Sequence, residues 1–193
     1  MFLKLNDKEI LLQTSRVLGN GGVVMHPTET CYGLAVDIFN KGAFEKLYEV
    51  KGRDEKKPVS ILVSSLEMAQ RYGEFNDKAL ELAKKYWPGA LSIVVPRSSE
   101  LPDFVNPGEE FVSIRWSSLE FCQKVVENLG RPITTTSANR SGQPQLYDVT
   151  DLAGLEGVDL VVDGGMIPEV KPSTIVKVDG DEVTVLRQGE IVV

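Results

Sequence analysis

The sequence predicts an α/β protein with a mixed sheet, and three observations lead there. Short apolar, β-branched runs alternate with segments of helical apolar spacing along the whole chain. The 193 residues are 42% hydrophobic and 25% charged, the balance of a soluble chain with a core to bury. No linker, repeat or low-complexity stretch breaks the alternation, so one domain over residues 1–193 is expected.

The elements follow in order. Asp7 is placed to cap a helix whose apolar positions Ile10, Leu11, Val17 and Leu18 share a face, and Gly19-Asn20-Gly21-Gly22 ends it. Val23-Val24-Met25 reads as a buried strand. Asn40 opens a helix with Phe44, Leu47, Tyr48 and Val50 inward, followed by a basic loop from Lys51 to Pro58. A strand is expected at Val59–Val63, helices at Leu66–Tyr72 and Asn76–Tyr86, and a strand at Leu91–Val95. The second half repeats the pattern: strand Phe111–Ile114, helix Leu119–Leu129, strand Ile133–Thr136, a short helix near Asp148–Leu155, and strand Asp159–Val162. Thr174–Val178 and Val183–Leu186, split by Asp179-Gly180-Asp181, read as a hairpin.

Composition excludes several kinds of function. Lys+Arg 21 against Asp+Glu 28 gives a net charge of −7, which argues against tight nonspecific binding to nucleic acid. The longest apolar runs fall short of the roughly 20 residues a membrane span needs. The N-terminal MFLKLNDKEILLQ lacks the pattern of a secretory signal, so a cytoplasmic location away from membranes is expected. One histidine, His26, and two cysteines, Cys31 and Cys122, cannot assemble a multi-ligand zinc site or a disulfide framework. An enzyme with this stock works by positioning and electrostatics rather than through an imidazole base.

Five polar segments fall at the ends of expected strands, where open α/β sheets place their ligands. His26-Pro27-Thr28-Glu29-Thr30-Cys31-Tyr32-Gly33-Leu34 brings three hydroxyls and a carboxylate to a strand end, or forms a plain polar turn. Within it Cys31 suits the core better than nucleophilic attack, and His26 suits packing better than ligation. The basic loop with Lys51, Arg53, Lys56 and Lys57 suits an anionic partner, although Asp54 and Glu55 also suit a solvated surface. Trp87-Pro88-Gly89 reads best as a helix stop with the indole packed on the sheet. Arg115 ends an apolar strand, where a cation needs a carboxylate, from either a ligand or the protein. Thr134-Thr135-Thr136-Ser137-Ala138-Asn139-Arg140-Ser141-Gly142 offers donors around a turn, either a phosphate cradle or a helix cap.

Taken in order, these segments resemble the YrdC-like family, the bacterial threonylcarbamoyl-AMP synthases. The resemblance rests on Pro27-Thr28-Glu29-Thr30, Lys51-Gly52-Arg53, Trp87-Pro88-Gly89, Arg115, Ser137-Ala138-Asn139 with Ser141-Gly142, Ser173-Thr174-Ile175, and Leu186-Arg187-Gln188-Gly189. It runs from about residue 7 to the C-terminus and is closest to the short, single-domain form. Trp116, Ala90-Leu91-Ser92 and Gln188 depart from the family pattern without removing an expected ligand.

The resemblance implies a twisted, largely open mixed sheet with flanking helices and a concave ligand cleft. It implies a nucleotidyltransferase that makes threonylcarbamoyl-AMP and pyrophosphate from L-threonine, bicarbonate and ATP, for tRNA threonylcarbamoyladenosine modification. Thr30, Arg115, Thr135 and Ser173 are then expected to hold L-threonine, with Arg115 on its carboxylate. Lys51, Arg53, Lys57, Ser137, Asn139 and Arg187 are expected around ATP, with Lys51 and Arg53 acting on the reacting phosphate. Mg²⁺ is expected to arrive with ATP, bridging its phosphates without protein ligands, and downstream tRNA threonylcarbamoyl-transfer proteins to receive the product.

The chemistry of the residues agrees. A threonine carbamate attacking the α-phosphorus needs no enzyme nucleophile, only aligned anions and neutralised charge. One methyl discriminates by only about 1–3 kcal/mol, so selectivity over serine is expected to be modest. Three rival readings share the fold: a YciO-like paralogue, a non-catalytic module with weak RNA binding on a basic concave face, and a carbamoyl-phosphate-using domain. Lys51-Gly52-Arg53 with Ser137-Ala138-Asn139 weighs against the first, the net charge against the second, and the lack of accessory domains against the third.

Overall fold

The computed structural model describes residues 1–54, 57–150, 152 and 154–193. The first half of the chain forms β1 (Phe2–Lys4), α1 (Ile10–Gly19), β2 (Val24–Pro27), β3 (Tyr32–Ala35), α2 (Lys41–Lys51), β4 (Ser60–Leu62), α3 (Leu66–Tyr72), α4 (Asp77–Tyr86) and β5 (Leu91–Pro96). Then come β6 (Phe111–Arg115), α5 (Glu120–Leu129), β7 (Ile133–Ser137), β8 (Leu160–Asp163), β9 (Thr174–Asp179) and β10 (Glu182–Arg187). The strands join in one open mixed sheet in the order β1-β8-β2-β3-β7-β4-β6-β5-β9-β10. Parallel pairs (β1–β8, β2–β8, β4–β6, β5–β9) alternate with antiparallel ones.

Successive side chains point to opposite faces of a strand, and the two apolar clusters obey that period. Val24, Ala35, Leu62, Ile133, Leu160 and Val162 join α1 and α5 on one face. Their neighbours Val23, Met25, Leu34, Val36, Ile61, Val63 and Val161 join α2, α3 and α4 on the other. Beyond β3 the first face changes character. Its positions become Gly33, Ser60, Ser92, Ser113 and Thr135, while the alternate positions Leu34, Ile61, Ile93, Val112 and Ile114 stay apolar and β7 turns Thr134 and Thr136 to that side. Small hydroxyls leave a hollow where large apolar side chains would have called for a covering helix.

Local chemistry explains the boundaries. Asn40 caps α2 by accepting from Ala43 N–H at 3.0 Å, Ser65 caps α3, and Asn76 caps α4. Gly52 ends α2 in the left-handed conformation. The expected hairpin is present, with Gly180 at φ 57° in its turn. Asn106 staples the β5–β6 loop to the start of β4, accepting from Val59 N–H at 2.8 Å and donating to Val59 O at 2.9 Å.

Four expectations need correction. Asp7 does not cap α1; its carboxylate accepts from Lys4 N–H at 2.8 Å, closing a turn instead. The first buried strand starts at Val24 and continues to Pro27, because it pairs with β3 through His26 and Pro27. The edge strand β1 and the strand β3 were not foreseen, β1 because it is three residues long and β3 because its residues read as a turn. No helix forms among the described residues near Asp148–Leu155, which make bends and turns; Asp151 and Ala153 lie outside the described residues.

After β10 the chain folds back beneath the start of β9. A Cβ on Gly189 would sit 2.0 Å from the Pro172 carbonyl oxygen, a backbone atom with no room to retreat. Gly189→Ala is therefore expected to cost about 3 kcal/mol or more. Gly180→Ala, strained only by its positive φ in open space, is expected to cost about 1 kcal/mol. Urea midpoints of the two variants check the contrast; equal losses would contradict the close approach.

Candidate functional site

The hollow is lined by Thr28, Thr30 and Cys31 of the β2–β3 turn, by Arg53, and by hydroxyls of β4, β5 and β7. Arg115, Ser173 and Arg187 complete it. Its volume of about 200 Å³ is below the roughly 300–1,000 Å³ of pockets that enclose a drug-sized ligand. It suits an amino-acid-sized group, with any larger remainder in the open mouth.

Thr28 builds the turn. Its hydroxyl accepts from the N–H groups of Thr30 (3.1 Å) and Cys31 (3.2 Å) and donates to Cys31 O (2.7 Å). This brings Glu29 and Thr30 against the end of β6, where Arg115 is only 6% exposed. Arg115 Nη2 meets Glu29 Oε1 at 3.0 Å and donates to Thr30 Oγ1 at 3.2 Å. Glu29 is held in turn by the Ser117 hydroxyl and by Ser118 N–H (3.3 Å), just ahead of α5. Burial alone would raise the Glu29 carboxyl, but Arg115 and the Ser117 hydrogen bond outweigh it and hold it below its usual range.

The second cation group surrounds the end of α2. Lys51 is 2% exposed, and its ammonium donates to the carbonyls of Ser137 and, at 3.0 Å, Asn139. Burial and the charge of Arg53 pull its pKa down to about 8. Arg53 donates from Nη2 to Pro58 O at 2.9 Å and from Nη1 to Thr136 Oγ1 at 3.4 Å. Arg187 is fixed by Ser173, through the carbonyl at 2.8 Å and 3.0 Å and the hydroxyl at 3.0 Å. Burial, then the charge of Arg115, lowers the Arg187 pKa. Thr174 secures this corner, its hydroxyl accepting from Gly189 N–H and Ile191 N–H.

Two guanidinium donors at the hollow are left over. Arg115 Nε and Arg53 Nε have no hydrogen-bond partner among the described residues. Buried polar groups are almost always paired, so two orphaned guanidinium donors around one hollow mark a place for an anionic ligand.

Of the ten expected site residues, Thr30, Arg115, Thr135, Ser173, Arg53, Ser137 and Arg187 line the cleft. Lys51 and Asn139 stand behind it: Lys51 holds the backbone of the 137–139 turn, and Asn139 accepts from the Ser137 hydroxyl. Lys57 is exposed and outside the lining. Glu29, Ser92 and Ser60 were missed as site residues. Their signal was the hydroxyl at alternate strand positions and the one carboxylate in the β2–β3 turn. Trp87-Pro88-Gly89 is the helix stop it resembled: Trp87 caps α4 and its indole donates to Leu91 O at 2.8 Å. It also serves the site indirectly, since Gly89 N–H donates to Trp116 O at 2.8 Å, next to Arg115.

Neither scarce residue offers nucleophilic chemistry. Burial pushes the Cys31 thiol up despite Arg115 nearby. His26 lies sealed beneath the turn with Nδ1 2.9 Å from Pro27 O, which assigns the proton to Nδ1 and leaves Nε2 without a partner among the described residues. Burial is the main cause that lowers its pKa to about 4.

A family profile described as "Sua5_yciO_yrdC: Telomere recombination" matches residues 16–189. A Methanocaldococcus jannaschii relative is 34% identical over 187 residues, 95% of this chain and 87% of its own. The Bacillus subtilis threonylcarbamoyl-AMP synthase is 34% identical over 193 residues, 98% of this chain and 56% of its own. The crystal structure of Pyrococcus abyssi Sua5 complexed with L-threonine superposes with a TM-score of 0.90 at 29% identity, over 98% of this chain and 57% of that one. The chain thus spans a little over half the length of these last two proteins.

His26 gives the site a measurable pH signature. Its folded pKa lies below the unfolded value of 6.5, so the stability it confers is complete above that value and declines as pH falls toward 4. Between pH 7 and 5 the loss should be about 2 kcal/mol. Urea unfolding at both pH values should show it, and His26→Leu should remove most of the difference. An unchanged slope in that variant would place the acid sensitivity elsewhere.

Proposed function

Because the chain belongs to the Sua5/YciO/YrdC family, we propose that its cleft makes threonylcarbamoyl-AMP from L-threonine, bicarbonate and ATP. The carrying observation is the pair of buried, unpartnered arginine donors, Arg115 Nε and Arg53 Nε, in one hydroxyl-lined hollow.

Arg115 Nη2 is committed to Glu29 and Thr30, which leaves Nε as the donor for the carboxylate of threonine. Thr30, Thr135 and Ser173 supply hydroxyl partners around it. Threonine and bicarbonate condense to a carbamate and water. A carbamate oxygen then attacks the α-phosphorus; the bond from that phosphorus to the bridging oxygen breaks, and pyrophosphate leaves with the electron pair. The residues have no bond to make. Arg53, Arg187 and the N–H groups of the 137–139 turn hold the two anions in line and offset the charge at phosphorus. Lys51 acts from behind by fixing that turn.

ATP would enter as its magnesium complex, the ion supplying charge neutralisation beside the arginines. Product leaves for the proteins that transfer the threonylcarbamoyl group to tRNA. The co-occurrence of Lys51-Gly52-Arg53 with Ser137-Ala138-Asn139 favours the synthase over a YciO-like paralogue. Among the described residues no helix is long and apolar enough to cross a membrane.

Pyrophosphate release from MgATP should require both L-threonine and bicarbonate. Release that ignores threonine, or none from folded protein, would end this reading. Arg115→Ala should raise KM for threonine at least tenfold with little change in KM for ATP. Arg53→Ala should instead lower kcat a hundredfold or more; equal effects on both substrates from Arg115→Ala would undo the carboxylate assignment.

A further inference from the structure

Arg140 has no place in the cleft lining, yet the fold makes room for it. A Cβ on Gly52 would lie 2.9 Å from Arg140 Nη2, and a Cβ on Gly154 would lie 2.8 Å from Arg140 Cδ. Both glycines have positive φ, 53° and 81°, so clearance and conformation alike select glycine there. The arginine stem is pressed into the slot by Gly154, and its guanidinium is delivered onto the Lys51-Gly52-Arg53 turn.

The backbone supports this placement. Ser141 N–H donates to the Lys51 carbonyl at 2.8 Å, while Lys51 Nζ holds the carbonyls of Ser137 and Asn139. Arg140 is therefore carried on a turn bolted to α2 at both ends. Its side chain is nonetheless exposed, and no hydrogen bond or ion pair among the described residues uses its guanidinium. A guanidinium whose stem is held and whose donors are open is pre-organised for an anion with several oxygens.

We propose that Arg140 is the outer phosphate clamp of the cleft, binding the β- and γ-phosphate oxygens of ATP and then the departing pyrophosphate. The assignment rests on the adenylate-forming reading above and extends it. Arg115 is buried, Arg53 is half-buried in the lining, and Arg140 stands exposed against the residue next to Arg53. A substrate with its amino-acid end at Arg115 and its α-phosphate at Arg53 carries its outer phosphates to Arg140. The three arginines thus meet successive anionic groups from the sealed end outward.

Calorimetric titration with inorganic pyrophosphate, AMP and L-threonine tests this on wild type, Arg140→Ala and Arg140→Lys. Arg140→Ala should bind pyrophosphate about tenfold more weakly and raise KM for ATP. AMP and threonine affinities should stay within about twofold, and the thermal midpoint should not move. Arg140→Lys should recover part of the loss, since it keeps the charge and forfeits the fork. Unchanged pyrophosphate affinity in Arg140→Ala overturns the clamp. Equal losses for all three ligands also overturn it, because the slot is then structural. Wild-type protein that binds neither AMP nor pyrophosphate defeats the adenylate reading itself, and the clamp with it.

Discussion

The ion pair between Glu29 and Arg115 is the constraint on which the site depends. An arginine at the end of a buried strand loses most of its hydration, and alone it would cost several kcal/mol. Glu29 offsets that cost from the β2–β3 turn, and its own carboxylate is held by Ser117 and Ser118 at the start of α5. The positive end of the helix dipole adds to the hold. The β2–β3 turn is therefore fixed to the distant β6–α5 junction by one carboxylate. The pairing is also incomplete in a useful way: Glu29 and Thr30 occupy Nη2 alone, so Arg115 reaches the cleft oriented yet with Nε in reserve. Orientation is complete before a ligand arrives, so little side-chain entropy remains to be lost on binding.

The hollow itself follows from the two faces of the sheet being used differently. One face is covered by α2, α3 and α4 through a mostly apolar set of positions, with Thr134, Thr136 and Thr174 among them. The opposite face has α1 and α5 over β8, β2 and β3, but offers Ser60, Ser92, Ser113 and Thr135 where a helix would need large apolar partners. Some of those hydroxyls satisfy one another, as Ser60 and Ser113 do at 2.7 Å. Others face the opening. The same period-2 alternation that builds the core thus vacates the site, and sheet twist makes the vacated strip concave.

Most elements were legible in the sequence because their signals are local. Asn40 and Asn76 read as helix starts, and each caps its helix; the hairpin at Gly180 was marked by its turn. Asp7 misled because a carboxylate three residues ahead of an apolar run fits a helix cap and a turn equally, and the Lys4 N–H decided between them. β3 stayed hidden because Tyr32-Gly33-Leu34-Ala35 needs β2 and β7 on either side to be a strand, and pairing partners are not written locally. The site divided the same way. Arg115 was legible as a cation in an apolar run, whereas Glu29 as its partner was not, since 86 positions of sequence separate them. Lys51 read as the partner of an anion by its charge, and the two carbonyls that orient its ammonium come near only through the tertiary fold.

Four cations around one small hollow carry a cost of their own in the ligand-free protein. Lys51, Arg53 and Arg187 all have pKa values pulled down, first by burial, and a neighbouring arginine charge adds to the effect on Lys51 and Arg187. A chain with a net charge of −7 could have neutralised these groups internally, as it does Arg115. It spreads its carboxylates over other surfaces instead. Like charges held apart by their own hydrogen bonds, to Ser173, Pro58 and the 137–139 turn, cannot relax by moving away from one another. An anion entering the space between them offsets the repulsion and favours the charged form of each cation that it pairs with. The arrangement thereby favours a ligand with several negative groups. Ligand binding and fold stability are linked through the same arginines, so each polyanion bound must also raise the free energy of unfolding.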